Sequence, residues 1–270
     1  MIKTLLYPFK KFAWFKRLNA KITYELLAKH IPAEEWHFMN YGYNPTEAEG
    51  PLHLEKVPLQ QYPLQMYHYL AAKTNIENQT ILEVGSGRGG GAFHIASYFK
   101  PLFYTGMDLA HHAVNLANQL HKLPNLKFIQ GSAEQIPIET ESIDVVINVE
   151  SCHAYGSVDQ FLKEVMRVLK PGGHFLMVDF RYAVDMPRLK NQLANCGLTM
   201  LEEENITPHV IKAIELEDDK KKERIQRLIP AKWQKLFSEF AGVVGSKFYN
   251  NLKDETRFYY RYVMVKPLSN

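Results

Sequence analysis

The chain has 270 residues, of which 46% are hydrophobic, and a formal net charge of +3. This size and composition predict one large globular domain with a cap, and so small a charge gives no support for a nucleic-acid partner. The sequence lacks the apolar run of about 18 residues that a membrane-spanning helix needs, and early lysines interrupt any signal-peptide core.

The first 30 residues predict an amphipathic helix that is rich in lysine. Such a helix either packs its apolar face on its own protein or lies on an anionic membrane surface, and both interpretations stay open. Residues 36–63 are rich in proline, tyrosine and glycine, which predicts an irregular approach segment. We therefore expect residues 1–62 to form an N-terminal helical cap followed by this segment.

From residue 63 onward, a first helix over 63–73 is followed by strands that alternate with helices. Strands are predicted at 80–84, 104–109, 126–130, 144–150 and 174–180. The strand at 144–150 is almost wholly apolar, which is typical of a central parallel strand buried on both faces. The alternation predicts an α/β fold over residues 63–206, in which helices cover both faces of a doubly wound, Rossmann-like sheet.

The last part of the chain follows another pattern. A helix over 187–197 and a sixth strand near 198–204 are predicted to complete the core, and residues 207–254 are predicted to be helical. Residues 255–270 include a run of alternating apolar and polar side chains, as a final strand does. We expect the helices of 207–254 to form a lid over the carboxyl ends of the sheet.

Glycines cluster directly after the first predicted strand. Gly85, Gly87 and Gly90 have the spacing G-x-G-x-x-G, and Asp108 lies 23 residues beyond Gly85 near the end of the next strand. Glycine lets the backbone approach a ligand, the following helix offers free N–H groups, and the acid can accept hydrogen bonds from ribose hydroxyls. The pattern predicts a nucleoside cofactor and leaves open whether that cofactor is NAD.

Three segments resemble the motifs of class I S-adenosylmethionine-dependent methyltransferases. They are EVGSGRGGG at 83–91, YTGMDL at 104–109 and LKPGG at 169–173. The resemblance implies S-adenosyl-L-methionine as the cofactor and a seven-stranded sheet whose last strand is antiparallel. MNYGY at 39–43 and VINVESCHAY at 146–155 are further similar to the phthiotriol/phenolphthiotriol dimycocerosate methyltransferase group, which implies transfer to a hydroxyl of a lipid or polyketide.

Motif positions and resemblance together assign the cofactor contacts. Tyr41 and Tyr43 would offer aromatic faces to the cationic sulfonium, and Gln65 would meet the carboxylate of the cofactor. The family has an acid where this chain has Ser132, so either Ser132 or Glu134 is expected to contact adenine. The full predicted set is Tyr41, Tyr43, Gln65, Glu83, Gly85, Ser86, Gly87, Gly90, Asp108, Leu109, Ser132, Ala133, Glu134, Asn148 and Glu150.

Methyl transfer to a hydroxyl needs a base that removes the proton from the acceptor oxygen. His153 follows a buried strand and should emerge at the carboxyl edge of the sheet, where ligands bind. A positioned base contributes about 10²–10⁴-fold, so we predict His153 as the catalytic base and Tyr155 as a residue that orients the acceptor or the base. An inert histidine and a packing tyrosine are the structural alternatives.

The aromatic residues of the lid are the candidates for binding a hydrophobic acceptor. They are Trp233, Phe237, Phe240 and Phe248. Their helical spacing is equally typical of residues that pack in a core. The lid is therefore predicted to supply the apolar wall of the acceptor site, with ordinary core packing as the alternative.

The sequence favours an S-adenosylmethionine-dependent O-methyltransferase that acts on a hydroxyl of a hydrophobic small molecule. The alternatives are a C-methyltransferase of the sterol or cyclopropane type, an NAD-dependent oxidoreductase and a non-catalytic cofactor-binding protein. No metal is expected. No nucleic-acid partner is expected either, because the fourth strand ends in NVES at 148–151. The two cysteines, Cys152 and Cys196, predict reduced thiols in a cytoplasmic protein, which could contact a membrane peripherally through its basic N-terminal helix.

Overall fold

The computed structural model describes residues 36–50, 52 and 60–268, so the helix predicted over the first 30 residues lies outside the described residues. The strands are β1 (Thr80–Val84), β2 (Phe103–Asp108), β3 (Leu126–Gln130), β4 (Ile143–Val149), β5 (Leu169–Tyr182), β6 (Thr199–Asn205) and β7 (Arg257–Val265). The α-helices are α1 (Gln61–Ala71), α2 (Gly90–Tyr98), α3 (His111–Leu120), α4 (Val158–Val168), α5 (Met186–Ala194), α6 (Thr207–Leu228), α7 (Ala231–Ala241) and α8 (Lys247–Lys253).

The seven strands form one sheet in the order β3-β2-β1-β4-β5-β7-β6. β1 pairs in parallel with β2 on one side and with β4 on the other. The strand order reverses between β1 and β4, so the loops that follow these two strands diverge and leave a crevice at their carboxyl ends. Ligands of open α/β sheets bind at such a point.

β7 runs antiparallel to both of its neighbours, β5 and β6. This confirms the Rossmann-like α/β sheet of seven strands with an antiparallel last strand. Because β7 is reversed, its start lies at the same edge of the sheet as the end of β6 and the carboxyl ends of the parallel strands. The lid helices α6, α7 and α8 connect those two points, and they are therefore anchored at the ligand-binding edge.

Two apolar layers pack on the two faces of the sheet. Ile147 and Leu176 belong to a layer that is covered by α1, α2, α3 and α6. Their neighbours in sequence, Val146 and Met177, belong to a layer that is covered by α4 and α5. Successive side chains of a strand point to opposite faces, so the continuous apolar run of the central strands fills both layers at once.

The LKPGG run differs in detail from its prediction as a turn that precedes a strand. β5 already begins at Leu169, so the turn predicted at 171–173 lies inside this strand. The middle residue of that turn, Gly172, has φ +78°. The register slips at this point, because Ile143 of β4 pairs with Leu169 whereas Val145 pairs with His174. The turn chemistry is thus accommodated as a bulge in an extended strand.

Candidate cofactor cleft and acceptor site

A cleft of about 1000 Å³, counting the space open to solvent, lies at the crevice between β1 and β4. Residues 37–40 of the approach segment form part of its wall, opposite the loops that follow β1, β2, β3 and β4. Eleven of the predicted site residues line the cleft. They are Gly85, Ser86, Gly87, Gly90, Asp108, Leu109, Ser132, Ala133, Glu134, Glu150 and Tyr155.

The glycine loop makes its close approach through left-handed backbone. Gly85 has φ +84° and Gly87 has φ +53°. A Cβ added at Gly85 would overlap the Ser151 hydroxyl, whereas a Cβ added at Gly87 would meet no atom within 4 Å. Gly87 lines the cleft, so the open space beside it is the space in which a ligand would lie.

This difference predicts distinct outcomes for two alanine substitutions. Gly87→Ala should lower the free energy of unfolding by about 1–2 kcal/mol, the cost of left-handed backbone for a residue with a Cβ, and should weaken cofactor binding because the methyl group enters the cleft. Gly85→Ala should destabilise the protein more, since it must also displace Ser151. Urea unfolding and calorimetric titration with the cofactor check both results. Equal stability losses in the two variants would contradict this interpretation.

Asp108 is fixed by two backbone groups at the end of β2. Its Oδ2 accepts a hydrogen bond from the Gly87 N–H at 2.8 Å, and its Oδ1 accepts one from the Ala110 N–H at 2.8 Å. Each carboxylate oxygen can accept more than one hydrogen bond. The carboxylate thus joins the glycine loop to the start of α3 and can still accept hydrogen bonds from a ribose in the cleft.

The residues present fit an adenosine-type cofactor. Ser86 lies in the cleft wall, and its buried Oγ has no hydrogen-bond partner within the part of the chain that the structure describes. Buried hydroxyls are normally paired, so this atom indicates a polar group that a ligand would supply. Together with the carboxylate of Asp108 and the open space at Gly87, it matches a sugar-bearing ligand that lies across the loop.

Glu83 does not line the cleft. It is fully buried, and its carboxylate accepts hydrogen bonds from Tyr67 Oη at 2.8 Å and from Tyr104 Oη at 2.9 Å. Burial raises the pKa of Glu83 to about 7. Tyr67 does line the cleft, so Glu83 supports the cleft wall through this tyrosine.

The raised pKa of Glu83 predicts a pH-dependent stability. A carboxyl whose pKa rises on folding contributes stability at low pH that is lost as the pH rises through the folded value. The free energy of unfolding of the wild type, minus that of Glu83→Gln, should therefore fall between pH 4.5 and about 7. Urea unfolding at a series of pH values measures this difference. The exposed Glu77→Gln is the matched control, and a flat difference for Glu83→Gln would contradict the assignment.

Four other predicted cofactor contacts also lie outside the cleft lining, namely Tyr41, Tyr43, Gln65 and Asn148. Gln65 is buried in α1, and its Oε1 has no partner among the described residues. Tyr43 is buried and donates a hydrogen bond to Glu49 Oε2 at 2.5 Å. Asn148 donates from Nδ2 to the Val84 carbonyl at 2.8 Å, beneath the glycine loop. Their assignment as cofactor contacts stays a prediction.

Tyr155 belongs to the same polar network as Asn148. Its hydroxyl lies within hydrogen-bond distance of Ser151 Oγ, Asn148 Nδ2 and the Val84 carbonyl. Burial raises its pKa well above the usual value. The network holds the ends of β1 and β4 together under Gly85, so the geometry gives Tyr155 a supporting position in the cleft wall.

His153 lies in the turn that follows β4, between the cleft-lining residues Ser151 and Ala154, but it does not itself line the cleft. Its ring is paired with a buried carboxylate. Its Nδ1 is 2.8 Å from Asp179 Oδ1, and its backbone N–H donates to Asp179 Oδ2 at 2.9 Å. Arg181 Nη1 lies 3.2 Å from Asp179 Oδ1. Burial alone would raise the pKa of Asp179, but the charge of Arg181 and the hydrogen bond with His153 hold it well below its usual range. The carboxylate therefore stays ionised and positions the His153 ring through Nδ1, and Nε2 is the ring nitrogen that Asp179 does not contact.

Aromatic side chains pack between His153 and the lid. The centroid of the His153 ring lies 4.3 Å from the centroid of the Phe180 ring. Phe180 meets Phe248 edge-on with ring centroids 5.1 Å apart, and Phe248 stacks on Tyr41 with centroids 3.8 Å apart. Aromatic rings therefore lie between the histidine and the lid, and the guanidinium of Arg257 packs over Phe180 and Phe248, with its Cζ 5.1 Å and 4.7 Å from the two ring centroids.

The other predicted acceptor residues lie on α7. Phe237 and Phe240 are half-buried against a small apolar cluster that includes Trp36 and Ile225. Trp233 is 49% exposed. Of the four predicted acceptor residues, the structure thus brings Phe248 next to the aromatic residues beside His153, and places Trp233 at the surface.

Glu150 and Tyr41 connect the cleft to the lid. Glu150 Oε1 accepts a hydrogen bond from the Tyr41 N–H at 2.9 Å, and Tyr41 Oη donates to the Phe240 carbonyl at 3.0 Å. Glu150 has φ +47°, which is unusual for a residue with a side chain. Burial raises the pKa of this glutamate to about 8. The approach segment is thus held on both sides, by the end of β4 and by α7.

Sequence reasoning missed several residues of this site. Asp179, at the end of β5, is the main one, and the others line the cleft. They are His37, Phe38, Met39, Asn40, Tyr67, Val84, Arg88, Gly91, Met107, Ala110, Gly131, Val149 and Ala154. An acid at the carboxyl end of the strand next to β4 was the one available signal for Asp179.

Comparison with known proteins identifies the relatives of this chain. Residues 82–177 match the family model described as a methyltransferase domain. The chain is 35% identical over 262 residues to the fatty-acid O-methyltransferase of Mycolicibacterium smegmatis, covering 94% of each chain. It is 33% identical over 244 residues to the phthiotriol/phenolphthiotriol dimycocerosates methyltransferase of Mycobacterium leprae, covering 90% of each chain.

A solved structure supports the fold independently. The geranyl diphosphate C-methyltransferase of Streptomyces coelicolor A3(2), in complex with Mg²⁺, geranyl diphosphate and S-adenosyl-L-homocysteine, superposes with a TM-score of 0.66 at 14% identity, over 93% of this chain and 98% of that chain. At this identity the likeness shows the fold alone. Among the described residues, no helix combines the length and the hydropathy that crossing a membrane requires.

Proposed function

The chain belongs to the S-adenosylmethionine-dependent methyltransferases, in the family that includes the fatty-acid O-methyltransferase and the phthiotriol/phenolphthiotriol dimycocerosates methyltransferases, and we propose that it methylates an oxygen atom of a hydrophobic, lipid-like acceptor. The observation that carries this proposal is the 2.8 Å contact between His153 Nδ1 and the buried Asp179 carboxylate, next to the ring of Phe180.

The cofactor, when bound, supplies a methyl group on a positively charged sulfur that an acceptor oxygen can attack. The protein's own contribution is to position and to remove a proton. Asp108 and the glycine loop hold the sugar end, and the approach segment covers the cleft. His153 Nε2 takes the proton of the acceptor hydroxyl, and Asp179 stabilises the resulting imidazolium. Phe180 and Phe248 exclude water from the acceptor oxygen.

The alternative functions are less well supported. The match to a methyltransferase domain favours S-adenosyl-L-methionine over NAD and favours an enzyme over a non-catalytic binding protein. A C-methyltransferase shares the fold, but a likeness of fold does not determine which atom is methylated. The fatty-acid O-methyltransferase at 35% identity, together with a histidine that is paired with a buried carboxylate, favours transfer to oxygen.

A screen of acceptors tests the proposal. The purified protein would be incubated with isotopically labelled S-adenosyl-L-methionine and a panel of long-chain alcohols, phenolic lipids and fatty acids, followed by mass spectrometry. We expect a mass gain of one CH₂ unit with the label on oxygen in at least one lipid class. Label on carbon, or bound cofactor without product from any acceptor, would overturn the proposed function.

A further inference from the structure

Helix α7 carries exposed apolar side chains on one side. Trp233 and Leu236 lie three residues apart on that side and are 49% and 60% exposed. Ala241 is the one buried residue of α7, and Phe237 and Phe240 are half-buried. Single exposed apolar residues are ordinary, but a tryptophan and a leucine side by side on a helix that is mostly uncovered indicate an interaction surface. We call these two residues the α7 ridge.

The α7 ridge is bordered by positive charge. Lys232 and Lys235 are exposed, and neither has a carboxylate within ion-pair distance among the described residues. Lys232 Nζ lies 5.8 Å from the centroid of the Trp233 ring. The acid of the same helix, Glu239, accepts a hydrogen bond from the Lys247 N–H at 2.9 Å, at the start of α8. The ridge therefore presents apolar side chains with unpaired cations beside them.

We propose that the α7 ridge docks on an anionic lipid bilayer. An indole and a leucine insert at the boundary between head groups and acyl chains, while lysines beside them meet lipid phosphates. A second copy of the chain fits this surface poorly. In a symmetric dimer the same patch meets itself, so Lys232 and Lys235 of both copies would be brought together.

The inner side of α7 leads from this surface to the acceptor site. Phe237 and Phe240 lie beneath the ridge, and the Phe240 carbonyl accepts the hydrogen bond from Tyr41, which stacks on Phe248. Docking at the ridge would therefore bring the bilayer to the helix that is joined through Tyr41 to the aromatic residues beside His153. Delivery of the acceptor from the bilayer rests on the proposed function, whereas docking itself does not.

Vesicle sedimentation with the full chain tests the docking. The two vesicle types are phosphatidylcholine alone and phosphatidylcholine with phosphatidylglycerol. We expect binding to the anionic vesicles that weakens as salt is added. Lys232→Gln with Lys235→Gln should lower the partition coefficient by about 30-fold, because each lysine near an anionic surface contributes roughly fivefold. Trp233→Ser with Leu236→Ser should weaken binding to both vesicle types.

The matched control is Leu102→Ser with Leu268→Ser, which removes two apolar side chains that are 65% and 75% exposed elsewhere on the surface. It should bind like the wild type. Wild-type binding by the Trp233→Ser/Leu236→Ser variant would overturn the proposal, as would a wild-type dimer in light scattering that this variant abolishes. Vesicle binding is measured without turnover, so the two proposals can fail separately. Vesicle binding without methyl transfer to any acceptor would overturn the proposed function but not the docking. Methyl transfer without vesicle binding would overturn the docking but not the proposed function.

Discussion

Replacing His153 by alanine should lower kcat for an alcohol acceptor by about 10²–10⁴-fold, the usual contribution of a positioned base. The variant loses the imidazole whose Nδ1 lies 2.8 Å from Asp179 Oδ1. A fatty-acid carboxylate carries no proton on its oxygen at neutral pH and needs no base, so the same variant should lose much less activity with that acceptor. Steady-state kinetics with both acceptors measure the contrast.

Two further variants separate the chemistry from the structure. His111→Ala removes an exposed histidine of α3 that contacts Asn115, and it should leave kcat unchanged. Asp179→Asn should reduce kcat for the alcohol while cofactor affinity stays the same, since this carboxylate positions His153 without lining the cleft. If His153→Ala lowered kcat equally for the alcohol and for the carboxylate, the histidine would support the structure of the site and would not remove the proton of the acceptor.

Replacing Asp108 by alanine should raise the Kd for S-adenosyl-L-methionine by about 10²-fold or more, because hydrogen bonds to a charged group contribute roughly 1.5–3 kcal/mol each and a ribose can donate two. The substitution also removes the acceptor of the Gly87 and Ala110 N–H groups, so the loop that carries the cofactor loses its support. Isothermal titration with the cofactor and with its demethylated product measures the loss.

The control for this prediction is another aspartate far from the cleft. Asp159, near the start of α4, accepts a hydrogen bond from Gln192 at 2.8 Å, and Asp159→Ala should bind the cofactor like the wild type. Asp108→Asn keeps one acceptor oxygen but points an amide at a backbone N–H, so its affinity should fall between those of the wild type and Asp108→Ala. An unchanged Kd in Asp108→Ala would show that the sugar is not held at the end of β2.

The core of the fold could be predicted because its signals are local. The strand bounds 80–84 and 126–130 agree with β1 and β3, since each is a short apolar run between turn-forming residues. The glycine loop was equally visible, because left-handed backbone at Gly85 and Gly87 requires residues that the sequence shows directly. The antiparallel direction of β7 was predicted only from the family resemblance. Alternating apolar and polar side chains indicate a strand, but the pattern is the same whether that strand pairs in parallel or antiparallel.

Asp179 could not be assigned from the sequence because its position depends on register. His153 and Asp179 are 26 residues apart, and they meet because β4 pairs with β5 so that Val149 lies opposite Val178. A bulge near the start of β5 sets that alignment. Periodicity predicts which residues alternate along a strand but does not fix the register of its neighbour.

Side-chain direction limited the rest of the site assignment. Tyr43, Gln65 and Glu83 were predicted to contact the cofactor, but all three are buried and none of them lines the cleft. In the lid, helical spacing identified an apolar stripe without showing which part faces inward. Phe248 packs beside the site, while Trp233, with the same signal, points to the surface.

Tyr41 has a consequence for the timing of the catalytic cycle. Its backbone is tied to Glu150 in the cleft wall, its hydroxyl to α7 and its ring to α8. If these three contacts open to admit a nucleoside beneath the approach segment and re-form over it, turnover should be compulsory-order, with the sulfonium compound bound first and its thioether product released last. Opening of the segment would then set the steady-state rate after a rapid first round.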